Sequence, residues 1–552
     1  MMEESCSFVK IYEHSFRKHF DLPALSDYGT DKIHTYKDVA VAIEKLHILF
    51  EANGIKQKDK IALVGKNSSY WGIIFLASVT YGAVIVPILQ DFSPDDIQHI
   101  VNLSDSTLLF AGDSIMKNLD REKMPALKAL FAITDGGLSD TDGVEAFNEE
   151  LLAKFSAKFP SEFTPEDISY TDFPNSQIAV LNYTSGTTGF SKGVLITADN
   201  LTANLLFAHN EIELRTGHKL LSLLPLAHTY GCAFEFLFPI MEGCHVTLLG
   251  KTPSPKILMK AFAQIKPDLI ISVPLILEKI YKGMILPMIS KPALRIALKL
   301  PVLNGLIYKT IRKKLVEAFG GNFIQIVIGG APLNKEVEEF LLKIKFPVSV
   351  GYGMTECAPL VSFSLYENYI KYSSGKLLPC MQVRIDSPDP YQIAGEIQLK
   401  GRNVMVGYYK NEIATQAVFT DDGWLKTGDL GTIDKDNNIF IRGRSKSMLL
   451  SASGQNIYPE EIEAKLANLP YVQESLVVHK NGRLVALVVP DYEAAKAANI
   501  NMENLKKIMA ENRSHLNDMT ASYEKVTEFQ LIEKEFEKTP KKSIKRYLYT
   551  NS

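Results

Sequence analysis

The chain has 552 residues, 46% of them apolar, with 60 basic and 63 acidic side chains and a net charge of −3. That length predicts several domains or one large multi-lobed one, with ample material for a core. The near balance of charge argues against a nucleic-acid surface, which would show a clustered basic excess. The five scattered cysteines lack metal-ligand spacing and read as reduced and intracellular.

The opening MMEESCSFVK has acids and no apolar run, so no secretory signal is expected. Residues 70–90, YWGIIFLASVTYGAVIVPILQ, are long and apolar enough to pass for a membrane span. Gly82 falls where a helix would end, however, and AVIVPI reads as a buried strand, so a helix–strand pair is predicted. No internal repeat and no low-complexity tract is visible.

Up to about residue 440, strand-like runs alternate with helical patterns. Examples are IALVG (61–65), IAVLNY (178–183), HVTLLG (245–250), LIISVP (269–274) and IQIVIGG (324–330). This alternation predicts α/β layers with buried parallel strands. In the stretch TADNLTANLLFAHNEI, Asp199 is the expected helix cap. From residue 395 to 444 the runs shorten and turns multiply, as in a small β-barrel or sandwich. Beyond Ser445–Lys446 a compact α+β unit is expected. It has a helix opening near Pro459, a hairpin turning at Asn481-Gly482, two further helical segments and a Lys-rich tail.

Residues 181–197, LNYTSGTTGFSKGVLIT, place Thr184, Ser185, Gly186, Thr187, Thr188 and Gly189 in a row between two strands, followed by Lys192 and Gly193. Such a loop can turn backbone N–H groups inward as an anion nest, with hydroxyls and a lysine adding donors and charge. It suits a polyphosphate. It is not a Walker A loop, because Ser191 precedes the lysine and a glycine follows it.

TSGTTGFSKG resembles the signature loop of the adenylate-forming superfamily, which includes acyl-CoA synthetases, luciferases and peptide-synthetase adenylation domains. PLAHTYG (225–231), GGAPL (329–333), GYGMTE (351–356), GEIQLKGRNVMVGYYK (from 395), GWLKTGDL (from 423) and GRSKSMLLSASGQNIYPEEIE (from 443) follow in the family's order. The resemblance runs from about residue 30 to the C-terminus and is strongest to long-chain fatty acyl-CoA synthetases. It implies a large N-terminal domain (1–444) of layered α/β subdomains plus a β-barrel-like part. A smaller mobile α+β domain (445–552) would turn on a hinge at Lys446.

The implied reaction joins a carboxylic acid to coenzyme A through an acyl-adenylate, using ATP and Mg2+ and releasing AMP. Charge neutralisation is then the main task, since an anion attacks a polyanion. By the resemblance, Thr184, Ser185, Gly186, Thr187, Thr188, Gly189 and Lys192 hold the phosphates. Thr355 and Glu356 serve the α-phosphate and Mg2+, with Thr184 also on the metal side. Tyr352 with Gly353 faces adenine, and Gly330 and Ala331 line the base pocket. Asp429 and Arg444 meet the ribose, His228 gates the reacting carboxylate, and Gly454 borders the pantetheine channel.

The family's last motif reads roughly Thr-Pro-Thr-Gly-Lys-Ile-x-Arg. Here Ser543 stands in the lysine's place, in TPKKSIKR (539–546). Either a neighbouring cation such as Lys542 or Lys545 reaches in, or the first half-reaction is impaired, or the acid is unusual; Lys542 is the expected substitute. Two other readings stay open: transfer to a carrier protein or activation of an aryl or other acid, and a non-catalytic nucleotide- or acyl-binding relative. The partners expected are small molecules and not nucleic acid. The expected location is cytoplasmic. A hydrophobic acid leaves peripheral contact with the inner face of a membrane open, although no anchor, no lipidation motif and no clear basic amphipathic helix is visible.

Overall fold

A computed structural model describes residues 6–134, 137–140, 144–184, 192–298, 300–450, 455–480, 483–539 and 543–550. Its largest sheet has eight strands. Their order is Gly407–Tyr408, Lys192–Thr197, Ile178–Thr184, Val84–Ile88, Lys60–Val64, Ser106–Gly112, Ala129–Thr134 and Gly137–Asp140. The inner strands run parallel, and antiparallel strands close both edges. The inner strands are apolar along their length because helices cover both faces.

Residues 70–90 form the predicted pair. Ser68 caps the helix Ser69–Tyr81 by accepting from Trp71 N–H, and Gly82 ends it at φ 83. Val84–Ile88 follows as a strand buried throughout. No helix among the described residues is long and apolar enough to cross a membrane.

The helix Ala198–Glu211 is capped differently from expectation. Thr197, not Asp199, is the cap: its hydroxyl accepts from Asn200 N–H, and Asn200 returns the bond to the Thr197 N–H. Thr197 has the extended backbone a cap needs, whereas Asp199 already lies in the first turn. Asp199 instead ion-pairs with Arg402 at 2.7 Å and so ties this helix to a segment 203 residues away.

A second layer joins Lys219–Ser222, His245–Leu248, Pro23–Asp27 and Ile33–Thr35. A bridge from Leu220 to Leu269 connects it to the parallel strands Ile270–Ser272, Ile326–Ile328 and Val348–Val350. The turn-rich β part is an antiparallel sheet of Met381–Asp386, Gly395–Gly401, Leu425–Ile433 and Ile439–Arg444. A bridge from Asn438 to Lys376 links it to a small sheet that begins at Tyr352–Gly353.

The smaller C-terminal part pairs Val472–Lys480 with Arg483–Pro490, and Glu528–Leu531 adds in parallel. Its two-residue alternation feeds two cores. Leu476 and Val478 pack with Phe536, while Val477 packs with Ile462, Leu466 and Leu516 on the other face. The helix Pro459–Leu466 opens on its proline as expected. The Asn481-Gly482 turn lies outside the described residues.

Candidate active site

The phosphate-loop strands, Ile178–Thr184 and Lys192–Thr197, pair antiparallel with Thr184 opposite Lys192, so the loop leaves and returns at one point. Thr184 also donates its hydroxyl to the Lys192 carbonyl at 3.4 Å. The edge strand Gly407–Tyr408 pairs with Lys192–Thr197 and brings the Tyr408 ring beneath Lys192, with Nζ 4.8 Å from the ring centroid. The Tyr408 hydroxyl then donates to Glu356 Oε1 at 2.9 Å. The loop lysine and the GYGMTE carboxylate are thus joined through one aromatic ring. Ser185, Gly186, Thr187, Thr188, Gly189 and Ser191 lie outside the described residues.

Glu356 sits with Thr355 in the short helical turn Thr355–Cys357. Far segments pin this turn. Its Glu356 carbonyl accepts from Met405 N–H at 2.8 Å. The buried Asn204 donates to the Cys357 carbonyl at 3.2 Å and accepts from Leu360 N–H at 3.0 Å. Gly353, just before the turn, has a steric reason: a Cβ there would lie 2.4 Å from the Pro359 carbonyl oxygen.

Asp429 and Arg444 are cross-strand neighbours in the antiparallel sheet, and Arg444 Nε lies 2.7 Å from Asp429 Oδ1. The other carboxylate oxygen accepts from the Tyr352 hydroxyl at 2.6 Å. Asp429 is only 3% exposed. Burial raises its carboxyl above the usual range, while Arg444 and the Tyr352 hydroxyl pull it back; the nearby acids Glu356 and Glu460 push further up. The Tyr352 phenol is raised well above its ordinary value by the same burial and by Asp429. Arg444 itself is largely exposed.

His228 is half-buried at the entry of the turn Thr229–Gly231. Polar side chains satisfy the backbone of the segment before it, Glu235 and Asn182 from buried positions and Asn67 from a half-buried one. Glu235 accepts from Leu223 N–H at 3.0 Å, Leu224 N–H at 2.9 Å and the Ser222 hydroxyl at 3.0 Å. Asn67 donates to the Leu224 carbonyl at 2.6 Å and accepts from Leu226 N–H at 3.0 Å. Asn182, from the phosphate-loop strand, donates to the Ala227 carbonyl at 2.9 Å. Burial pushes the Glu235 carboxyl up to about 8, against the pull of its backbone and hydroxyl donors.

Tyr230 continues this turn to the GGAPL motif by donating its hydroxyl to the Val327 carbonyl at 3.1 Å. Its ring explains Gly329, where a Cβ would fall 2.8 Å from the aromatic carbon. Gly330 adopts φ 82, a conformation glycine tolerates, and it and Ala331 are exposed beyond the strand Ile326–Ile328. The structure therefore brings the second and third motifs together.

Lys446 is exposed in a turn that follows the strand Ile439–Arg444; the neighbouring Ser445 N–H donates to the Gly428 carbonyl at 2.9 Å. Ser543 is exposed on the tail, where its carbonyl accepts from Thr539 N–H at 2.8 Å. Among the described residues nothing joins Ser543 to Glu356 or Lys192. Gly454 and Lys542 lie outside the described residues.

Tyr408, Tyr230, Glu235, Asn67, Asn182 and Asn204 escape the sequence reading. Tyr408 stands inside a quoted motif, so a signal existed there. Tyr230, Asn182 and Asn204 also fall within quoted stretches, whereas Glu235 and Asn67 are single polar residues to which only the fold gives partners.

The model of the family described as AMP-binding enzyme matches residues 12–409. The long-chain-fatty-acid–CoA ligase FadD15 of Mycobacterium bovis is 30% identical over 477 residues, covering 80% of this chain and 74% of that protein. The peroxisomal long chain acyl-CoA synthetase 6 of Arabidopsis thaliana is 29% identical over 509 residues, covering 85% and 70%. Among solved structures, the anthranilate CoA ligase AuaEII in complex with anthranoyl-AMP superposes with a TM-score of 0.80 at 20% identity, covering 99% of this chain and 97% of that one. ATP-bound MatB from Rhodopseudomonas palustris superposes at 0.76 with 21% identity, covering 98% of each. These two share the fold. The chain belongs to the AMP-binding enzyme family and is an adenylate-forming acid–CoA ligase.

Proposed function

We propose that the acid this ligase activates is a medium- to long-chain fatty acid, which it joins to coenzyme A through an acyl-adenylate. The observation that carries this reading is that relatives sharing about four fifths of this chain are named for long-chain fatty acids.

The residue roles in this reading are those the family resemblance implies. Lys192 and the loop between it and Thr184 receive the β- and γ-phosphates. Asp429, set by Arg444 and Tyr352, accepts hydrogen bonds from the ribose hydroxyls, and Gly330, Ala331 and Gly353 flank the base. His228 positions the acid beside the α-phosphate, where Thr355 donates.

No cluster of three or more His, Cys, Asp or Glu that could hold a metal occurs among the described residues. A Mg2+ ion would be held jointly by the nucleotide and protein. Glu356 fits that role, because Tyr408 fixes one carboxylate oxygen and leaves the second for the metal. The ion supplies charge neutralisation at the phosphates. For the second half-reaction, residues 445–552 rotate about Lys446 and bring Gly454 to the coenzyme A side.

The test is an acid panel read as pyrophosphate, AMP and thioester, with and without coenzyme A. Saturated acids of intermediate to long chain should give the highest kcat/KM, with thioester only when coenzyme A is present. Preference for aryl acids, or thioester formed only on a carrier protein, overturns the reading. Nucleotide binding without pyrophosphate release for any acid would indicate a non-catalytic relative.

A further inference from the structure

One surface carries chemistry that the adenylation site does not use. Between residues 279 and 316 the sequence holds nine lysines and arginines and no acid, in a chain whose net charge is −3. The same stretch gathers exposed large apolar side chains: Ile296 at 66%, Leu306 at 62%, Leu300 at 49% and Leu303 at 43% exposure. Each lies within four residues of the next along the chain. Lys291, Arg295, Lys309 and Lys314 flank them and are also exposed.

The stretch is firmly seated from beneath. Ile280, Tyr281, Ile285, Ile311 and Leu315 are buried in the core under the parallel strand Ile326–Ile328. Inward apolar positions are thus filled, and the outward leucines and isoleucine are additional to what the core needs. The chain here is one helical run from Pro274 to Ile289 with a π-helical turn at Tyr281–Ile285, then the separate helices Pro292–Ala297 and Pro301–Ala318. That division explains why no amphipathic periodicity is legible in the sequence: the face is assembled from several helices, each starting at or next to a proline.

We propose that this face is a membrane-docking surface, which lays Ile296, Leu300, Leu303 and Leu306 into an anionic phospholipid leaflet while the flanking lysines and arginines meet the headgroups. Charge complementarity selects the partner. An unbroken cationic stretch is attracted to anionic lipid, and apolar side chains set between the cations gain by leaving water. Long basic side chains reach around the apolar patch to the polar layer. A second copy of the chain would place the same cations opposite one another and repel. The inference does not rest on the class of acid activated, and its test reads binding rather than turnover.

Full-length protein is sedimented with vesicles of phosphatidylcholine alone or with 30% phosphatidylglycerol. The native protein should bind the anionic vesicles, release them in high salt, and stay free with phosphatidylcholine alone. Lys291→Ser/Arg295→Ser removes two cations and should weaken binding about 30-fold. Ile296→Glu/Leu306→Glu, at exposed positions, should abolish it. Both variants should keep native pyrophosphate release with a water-soluble acid in vesicle-free buffer, which reports that they are folded. The proposal is overturned if native protein ignores anionic vesicles, or if both variants bind as native does. It is equally overturned if the patch holds a dimer, seen in sedimentation velocity and lost in Ile296→Glu/Leu306→Glu, or binds only an acidic carrier protein.

Discussion

Lys192 and Glu356 face each other across the ring of Tyr408: the ammonium lies 4.8 Å from the ring centroid, and the ring's hydroxyl donates to Glu356 Oε1 at 2.9 Å. A residue neither cationic nor anionic thereby sets the spacing of the two charges proposed to flank the phosphates of ATP. The arrangement separates two contributions that a single deletion would confound.

Tyr408→Phe keeps the ring under Lys192 and frees Glu356. Losing a hydrogen bond to a charged group costs about 1.5–3 kcal/mol, so acyl-AMP formation should slow roughly 10- to 100-fold. Tyr408→Leu removes the ring as well and should fall further, and Lys192→Ala further still. Rapid-quench measurement of pyrophosphate release ranks the three. If Tyr408→Phe matches the native rate, the hydroxyl does not hold Glu356 in its working position.

The raised carboxyl of Asp429 gives a pH dependence with a fixed sign. Only the ionised group can accept from both ribose hydroxyls. Because burial lifts its titration above that of an ordinary aspartate, protonation sets in earlier as pH falls. KM for ATP should therefore rise toward acid pH and improve as pH increases. In Asp429→Asn this component should vanish, leaving a higher KM at every pH, whereas ATP's own titration remains in both. KM measured across pH 5 to 8 for the pair isolates the aspartate. Parallel profiles would remove Asp429 from nucleotide binding.

Much of the α/β layering is legible in the sequence because buried parallel strands are short apolar runs between turn residues, and IALVG and IAVLNY stand out as such. The Ser69–Tyr81 helix and its strand are legible for a local reason, the glycine at their junction. Thr197 in place of Asp199 shows the limit of such local rules: two polar residues two positions apart are both plausible caps, and the choice turns on Arg402, far along the chain. The same limit hides Glu235, Asn67 and Asn182. Each satisfies the backbone before His228, and Asn67 and Asn182 do so from 157 and 45 residues away. Motifs report what touches the substrate; the side chains that hold the motif have no periodicity to read.

Glu235 tests that support. Glu235→Gln keeps one acceptor oxygen, where Glu235 Oε2 takes the Ser222 hydroxyl and the Leu223 and Leu224 N–H groups, and puts an amide donor where Oε1 shares the Leu223 N–H. The loss should be about 1–3 kcal/mol of stability in urea titration, with a lower kcat from a loosened His228 turn. The pH sign follows from the raised carboxyl. With a folded value pushed up to about 8 and an unfolded one near ~4.3, the folded protein holds a proton that the unfolded chain has released. Native stability should thus decline as pH rises across that window. Its advantage over Glu235→Gln should shrink in step. An advantage that does not change with pH would show that Glu235 stays ionised throughout.

The tail poses the sharpest question about the first half-reaction. Its described cations are already committed: Lys538 pairs with Glu474 and Glu535, Lys545 with Glu537 at 3.6 Å, and Arg546 with Glu463 and Glu460. Glu463 is partly buried, its side chain 16% exposed; burial pushes its carboxyl up to about 7 against the pull of Arg546, and it also accepts from Val477 N–H at 2.7 Å. Moving any of these three cations to the α-phosphate would break an ion pair and, for Arg546, strand a partly buried acid. A neutral Ser543 cannot stand in for an ammonium; Lys541 and Lys542 lie outside the described residues, and Lys542, next to Ser543 in sequence, is the tail cation expected to neutralise the attacking carboxylate and the α-phosphate. Lys542→Ala should cut single-turnover acyl-AMP formation roughly 100-fold while sparing thioester formation from supplied acyl-AMP. Ser543→Lys placed in that variant should restore the first half-reaction. Native-rate adenylation by Lys542→Ala would show that this chain activates its acid without a tail lysine.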